Sequence, residues 1–135
     1  MIGILLATHG SFGEGIMESA EMVMGHSEKL KTIKLLQDDD VTEFRERLVS
    51  CLDELDDGDG VLVMLDILGG SPYNVAAASI PGHHVECLTG LNLPMLLEAV
   101  DSRERCSLKE LAEESAQAAK NGVIDVKDYL GLGGK

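Results

Sequence analysis

Three polar residues stand where short apolar stretches end, and their types suit the transfer of a phosphoryl group. His9 follows an apolar run at the start of the chain, Asp66 follows "VLVML", and Ser71 comes shortly after it. A carboxylate on one ring nitrogen of an imidazole fixes the tautomer and presents the other nitrogen as a nucleophile or base. A helix that starts at Ser71 offers backbone N–H groups and a hydroxyl to an anion. Together they indicate phosphoryl transfer through a phosphohistidine.

Taken singly, each residue also has a structural interpretation. A lone histidine at a strand end is more often a hydrogen-bonded structural residue, an aspartate there commonly caps a loop, and Gly-Gly-Ser-Pro is an ordinary turn into a helix. The pair His83-His84 is typical of a polar loop, and "QDDDVTE" lacks the glycine and spaced carboxylates of an EF-hand. The phosphoryl hypothesis therefore depends on the elements that bring His9, Asp66 and Ser71 together.

Short apolar runs alternate with helical periodicity along the chain. Strands are predicted over residues 2–7, 30–36, 60–66, 84–89 and, as a short last strand, 123–126. Two amphipathic helices are predicted between the first three strands, the second with an Asp40/Glu43 capping box. Further helices are predicted from Ser71 as N-cap with Pro72 at the first helical position, over 92–100, and over 107–122 behind a Ser107/Glu110 capping box.

This alternation predicts an α/β fold with a doubly wound, mostly parallel central sheet covered by helices on both faces. The length of 135 residues fits one domain, which we expect over residues 1–130, with a flexible C-terminal tail over 131–135. Ligands of such sheets bind beyond the carboxyl ends of the strands, at a topological switch point. His9 and Asp66 follow the first and third strands, so we expect them to meet at that edge.

Composition excludes several classes of partner and site. The net charge of −13 argues against nucleic acid or an anionic membrane as the partner surface and favours a basic protein partner. The three cysteines are widely spaced and form neither a disulfide framework nor a C-x-x-C pair, which indicates a reducing compartment. The start of the chain lacks the basic region and cleavage site of a signal peptide. We therefore expect a cytoplasmic protein.

Three stretches of the chain resemble the IIA components of the mannose/fructose/sorbose class of bacterial sugar phosphotransferase systems (PTS). They are "GILLATHGSFGEGIMESAEMVMG", "VLVMLDILGGSPYNVAA" and "LTGLNLPMLLEAV". By position, the resemblance implies that His9 is the phosphorylated histidine, that Asp66 holds its ring and that Ser71 helps to bind the phosphoryl group. It also implies that Asn92 and Pro94 shape the rim of the site without reacting.

The resemblance further implies a phosphotransferase that carries phosphate between proteins without a metal or organic cofactor. The donor would be the histidine phosphocarrier protein HPr, and the acceptor a histidine of the IIB component, Nε2 of His9 being the reactive atom. The chain ends soon after the IIA-like region, so IIB is expected on a separate polypeptide, with the membrane components IIC and IID reached indirectly. A homodimer that exchanges the C-terminal strand, here residues 123–126, is common in the family.

Two other functions fit part of this pattern. A small metal chelatase of cobalamin or sirohaem synthesis also places His-Gly-Ser after its first strand, although the sequence offers no clear second histidine ligand at a matching strand end. A regulatory dimer of the same fold would bind a partner without phosphate chemistry. The presence of His9, Asp66 and Ser71 argues against this regulatory dimer.

Overall fold

The computed structural model describes residues 1–133 as an alternating series of strands and helices. The strands are β1 (Gly3–His9), β2 (Leu30–Leu35), β3 (Val61–Leu65) and β4 (Val85–Leu88). The helices are α1 (Phe12–Met24), α2 (Val41–Leu55), α3 (Gly70–Ser79), α4 (Leu93–Ser102), α5 (Leu108–Asn121) and α6 (Val126–Tyr129). The first four predicted strands and the main helices are confirmed, with boundaries shifted by a few residues.

The strands form a single parallel sheet in the order β2-β1-β3-β4. β1 is central, so that Ala7 pairs with Ile33 of β2 on one side and with Leu65 of β3 on the other. The chain leaves β1 toward β2 and then crosses back to β3, which places a topological switch point between β1 and β3. The carboxyl ends of these two strands therefore border the crevice where ligands of such sheets bind.

Side chains of β1 and β3 alternate between two buried cores, one on each face of the sheet. Ile4 and Leu6 face a core completed by α1, α4 and α5. Leu5 and Ala7 face a second core completed by α2 and α3. This period-two pattern within a continuous apolar run is what a sheet buried on both faces requires. The predicted doubly wound α/β fold is thus confirmed.

Helix ends follow their capping residues, with two departures from the predictions. Ser107 and Glu110 form the predicted capping box of α5, whereas Asp40 caps α2 alone by accepting a hydrogen bond from the backbone N–H of Thr42. Helix α3 begins at Gly70, with Gly69 at the N-cap, so Ser71 is not the N-cap residue that its position before proline predicts. Gly69 takes that place because the turn after β3 needs its positive φ of 85°.

The predicted last strand is wrong for the single chain. Residues 123–125 are irregular and α6 follows, with the Asp125 side chain accepting a hydrogen bond from the backbone N–H of Asp128. The predicted flexible tail lies in part outside the described residues, at 134 and 135. Within the described part, Leu132 donates its backbone N–H to the Lys127 carbonyl at 2.8 Å.

Candidate active site

His9 and Asp66 meet where the carboxyl ends of β1 and β3 lie side by side. His9 is the last residue of β1, and Asp66 directly follows β3. One carboxylate oxygen of Asp66, Oδ2, lies 2.9 Å from the ring Nδ1 of His9 and also accepts the backbone N–H of His9 at 2.9 Å. The other oxygen, Oδ1, accepts the backbone N–H of Ile67 at 3.1 Å. The carboxylate is therefore fixed in place and holds both the ring and the main chain of His9.

The charge state of Asp66 decides which ring nitrogen of His9 carries the proton. Burial is the largest single influence and raises the pKa of Asp66, but the backbone N–H, the ring and the charge of His9 act against it. The net pKa of Asp66 is lowered from its ordinary value, so the group is a carboxylate at neutral pH. A carboxylate accepts hydrogen bonds only, so Nδ1 must be the donor. In the neutral ring Nε2 then carries the free lone pair.

Nε2 of His9 faces the first turn of α3. Gly70 has a φ of +83°, and a Cβ built on it would lie 3.2 Å from Nε2 and 3.1 Å from Cε1. Gly69 at the N-cap position has no side chain to accept from the first-turn N–H groups, and Pro72 has no N–H of its own. The backbone N–H groups of Gly70 and Ser71 are consequently open to an anion at the positive end of α3.

A cavity of about 480 Å³ opens beside these groups. It is lined by His9, Gly10, Leu35, Leu36, Gln37 and Ser71. The His9 side chain is 46% exposed and Asp66 only 14%, so the imidazole is accessible while its carboxylate partner is shielded. Of the residues predicted for the site, the structure brings His9, Asp66 and Ser71 to one place.

Asn92 and Pro94 belong to the junction between β4 and α4. The Asn92 side chain caps α4 and donates to the Ala119 carbonyl near the end of α5 at 3.1 Å. Pro94 lines a surface cleft with Val23 and Met24 of α1. The backbone N–H of Leu91, just before Asn92, donates to the Leu65 carbonyl at the carboxyl end of β3 at 3.0 Å. The implied role of Asn92 and Pro94 at the rim of the site stays a prediction.

Gly70 adjoins the ring of His9, as glycines before Ser71 allow. A second contributor to the site's geometry, Thr8, was not predicted from the sequence. Thr8 is completely buried next to His9 and binds the turn that follows it. The one available signal was a polar residue inside the apolar run of β1, where an unsatisfied hydroxyl is costly.

A second cavity, of about 470 Å³, lies at the opposite edge of the sheet beside Met1 and Ile2. Arg103 lines it, but its guanidinium donates to the carbonyls of Ile2, Lys29 and Glu28. Burial lowers the pKa of Arg103, and the carbonyl groups compensate its charge. This arginine therefore joins the start of β1 to the loop before β2 and belongs to the scaffold.

Other features of residues 1–133 bear on metal binding, membrane insertion and thiol chemistry. No three or more His, Cys, Asp or Glu side chains in this range are grouped so that they could hold a metal ion. None of the helices in the same range is long and apolar enough to cross a membrane. All three cysteines are free, and burial raises the pKa of Cys87 to about 11, so its thiol is protonated at neutral pH.

The fold and the site define a parallel α/β protein with an oriented histidine beside an anion-binding helix start. The family model for the "PTS system fructose IIA component" (EIIA-man) matches residues 3–116. The chain is 32% identical over 112 residues to the "PTS system fructose-specific EIIA component" of Bacillus subtilis, covering 82% of this chain and 77% of that protein. The chain thus belongs to the mannose/fructose/sorbose family of PTS IIA components.

A solved structure and a longer relative agree with this assignment. The phosphotransferase system component EIIA from Streptococcus agalactiae superimposes with a TM-score of 0.87 at 32% identity, covering 95% of this chain and 99% of that one. The "PTS system mannose-specific EIIAB component" of Escherichia coli is 32% identical over 93% of this chain, which spans only 40% of that protein's length. Members of the family are phosphotransferases that work with HPr and with IIB, IIC and IID components.

Proposed function

We propose that this chain is a cytoplasmic phosphocarrier that receives a phosphoryl group on His9 from the phosphohistidine of HPr. It passes the group to a histidine of the IIB component during sugar uptake and phosphorylation. The observation that carries the proposal is the 2.9 Å contact between Asp66 Oδ2 and His9 Nδ1, which leaves Nε2 against the start of α3. The membrane components IIC and IID are reached indirectly, through IIB.

The transfer consists of one bond exchange between two imidazoles. The lone pair on His9 Nε2 attacks phosphorus, and the phosphorus–nitrogen bond of the donor breaks with its electron pair returning to the donor ring. The proton on Nδ1 stays between the ring and Asp66, whose negative charge offsets the positive charge that the phosphorylated ring acquires. Because the broken and formed bonds are of the same type, catalysis rests on positioning and electrostatics.

The start of α3 supplies the anion site for this exchange. Ser71 lines the cavity and Gly70 adjoins Nε2 of His9, so the N–H groups of both residues and the Ser71 hydroxyl are donors at the start of α3. Phosphate binds readily at such helix starts because uncapped N–H groups and the helix dipole both favour negative charge. The three donors need no metal ion to hold a phosphoryl group.

The surface around the cavity suits a basic protein donor with an apolar centre. Phe12, Leu36, Ile67 and Leu68 are exposed large apolar side chains that border the ends of β1, β2 and β3. The net charge of −13 on the whole chain gives the protein a negative long-range field. Such a field accelerates encounter with a positively charged partner and makes the rate sensitive to salt. This combination favours HPr over a free small molecule as the phosphate source.

Intact-mass measurement after incubation with phosphoenolpyruvate, enzyme I and HPr tests the proposed function. We expect one acid-labile phosphate per chain, lost on brief acid treatment and absent when HPr is omitted. Addition of purified IIB should then remove the label from this chain. Folded protein that takes up no phosphate from active phospho-HPr would overturn the proposal. Strict dependence on cobalt, nickel or zinc would instead favour the chelatase.

Gly70→Ala is expected to slow phosphate uptake by roughly 10-fold to 100-fold, because the added Cβ crowds the ring edge that must meet phosphorus. The matched control is Gly69→Ala. Both glycines have a positive φ, so both variants lose about 1 kcal/mol or more of stability, but a Cβ at Gly69 has no atom within 4 Å. Thermal unfolding and rapid-quench transfer are measured for both. Equal transfer rates in the two folded variants would contradict this account of Gly70.

A homodimer is part of the same proposal. Residues 123–132 carry large exposed apolar side chains, namely Val123, Ile124, Val126, Tyr129, Leu130 and Leu132. A contiguous apolar segment of this kind marks an interaction surface. Sedimentation equilibrium of the full chain should give the mass of a dimer. The double variant Tyr129→Glu/Leu130→Glu should sediment as a monomer. Met22→Glu, at an exposed position of α1, is the control and should remain a dimer. A monomeric parent chain at all concentrations would exclude the dimer.

A further inference from the structure

Thr8 is a buried hydroxyl at the end of β1 that serves the turn after His9. Its side chain has no exposed surface. Thr8 Oγ1 accepts the backbone N–H of Gly13 at 3.0 Å and donates to the Gly10 carbonyl at 3.4 Å. The hydroxyl thus joins the strand on one side of His9 to the turn and the helix on the other.

The hydrogen bond from the Gly13 N–H to Thr8 Oγ1 caps the start of α1. Gly13 is the second residue of α1, and its N–H is one of the donors that a helix leaves without an internal partner. Ser11 occupies the N-cap position but makes no side-chain capping bond. Thr8 takes over this role from the neighbouring strand. Its capping oxygen reaches Gly13 because α1 approaches the sheet so closely that a Cβ on Gly13 would lie 2.5 Å from Thr32 Oγ1.

The turn between Thr8 and Gly13 determines where the ring of His9 stands. Gly10 has a φ of +53° and donates its N–H to the Leu35 carbonyl at 2.8 Å. Asp66 holds the backbone N–H of His9 from the other side. The Thr8 hydroxyl restrains this turn through the Gly10 carbonyl and the Gly13 N–H.

We infer that Thr8 is a positioning residue for phosphoryl transfer: its hydroxyl holds the turn from Gly10 to Gly13 so that His9 Nε2 stays aligned with the start of α3. The inference rests on the proposed function of His9. Loss of the hydroxyl leaves the buried Gly13 N–H without its partner and releases the carbonyl of Gly10. The turn then relaxes, and the ring of His9 samples positions away from Gly70.

Thr8→Val and Thr8→Ser test this role, with Thr32→Val as the matched control. Valine keeps the shape of threonine and loses the hydroxyl, whereas serine keeps the hydroxyl. Thr32 Oγ1 is buried beside Gly13 and has no hydrogen-bond partner among residues 1–133. Thr32→Val therefore makes the same chemical change next to Gly13 without removing a hydrogen bond. Thr8→Ala supplies a second variant without the hydroxyl if the valine variant does not fold.

Rapid-quench transfer at varied phospho-HPr gives the first readout. We expect kcat of Thr8→Val to fall about tenfold with KM nearly unchanged, because the donor still docks while the acceptor is misaligned. Thr8→Ser and Thr32→Val should stay within about twofold of the parent. A parent-like kcat in Thr8→Val, an equal loss in Thr8→Ser, or an equal loss in Thr32→Val would each overturn the inference.

Nitrogen NMR of the His9 ring in the unphosphorylated protein gives a second readout that needs no phosphate. The Nδ1 and Nε2 resonances should move or broaden in Thr8→Val and match the parent in Thr8→Ser and Thr32→Val. If the parent itself took up no phosphate, the proposed function would fail, while these spectra would still test the positioning. Unchanged His9 resonances in a folded Thr8→Val variant would show that the hydroxyl does not hold the ring.

Discussion

His9→Ala should take up no phosphate from phospho-HPr while its fold stays intact. The side chain is about half exposed and packs into neither core, so its removal costs little stability. The variant lacks the only imidazole that faces the start of α3 within residues 1–133, and no neighbouring group replaces Nε2 as the nucleophile. Intact mass after reaction with enzyme I, HPr and phosphoenolpyruvate measures the loss, and circular dichroism checks the fold.

The other histidines are the matched controls for this prediction. His26 is exposed beyond the end of α1, and His83 binds the Ser79 carbonyl through Nδ1 at 2.9 Å. His84 lines the cavity at the opposite edge of the sheet. Replacing each with glutamine should leave one phosphate per chain. Full labelling of His9→Ala, or loss of label in one of these controls, would place the phosphoryl group elsewhere and refute the assignment.

The sequence predicted the pairing of His9 with Asp66 because two simple rules converge on it. Continuous apolar runs before each residue predict strands buried on both faces, and parallel strands put their carboxyl ends at one edge of the sheet. No rule of this kind predicts distances. The double hold of Asp66 on the ring and on the main chain of His9 emerges only from the register of β1 against β3.

The start of α3 shows how tertiary structure overrides a local signal. Serine before proline is a good N-cap pattern that predicts Pro72 as the first helical residue, yet the helix begins two residues earlier, at Gly70. The chain must turn sharply after β3 to bring α3 over the sheet, and Gly69 and Gly70 both take positive φ to do so. The consequence for the site is that the Ser71 N–H lies in the first turn of α3, where a helix leaves its N–H groups without an internal partner.

The prediction of a C-terminal strand is wrong for the single chain for a different reason. β-branched residues at 123, 124 and 126 favour extended structure, but a strand needs a neighbour to satisfy its backbone. The sheet of the single chain ends at β4, and Asp125 instead caps the short helix α6. Val23 and Met24 are apolar but exposed in the last turn of α1, where they line a cleft with Pro94.

Asp66→Asn is expected to slow phosphate transfer severely while leaving the fold intact. Asparagine has one acceptor oxygen, so it cannot accept from His9 and from the Ile67 N–H at once as the two carboxylate oxygens do, and its NH2 group only donates. An NH2 group that faces Nδ1 moves the ring proton to Nε2, which removes the nucleophilic lone pair. The Asp→Asn change in a Ser-His-Asp triad costs on the order of 10⁴ in rate through the same wrong tautomer, which sets the upper end of the expected loss.

The pH dependence of the parent supplies an independent check on this carboxylate. The pKa of Asp66 is lowered in the folded chain, so its contribution to stability is present above the unfolded pKa and is lost as pH falls through the folded one. Asp66→Asn lacks that contribution. The difference in unfolding free energy between the parent and the variant should therefore shrink as the solution is acidified below the ordinary aspartate range.

Ser71→Ala is the graded comparison that separates orientation of the nucleophile from binding of the phosphoryl group. It removes one neutral hydroxyl and leaves the N–H groups at the start of α3, so a loss of about 1 kcal/mol, or roughly five- to tenfold in rate, is expected. The transfer rates measured by rapid quench should thus be highest in Ser71→Ala, lower in Asp66→Asn and lowest in His9→Ala. A folded Asp66→Asn protein that transfers phosphate at the parent rate would contradict the proposed role of Asp66, even if His9 were still the acceptor. The tautomer of His9 would then be fixed by a group other than this carboxylate.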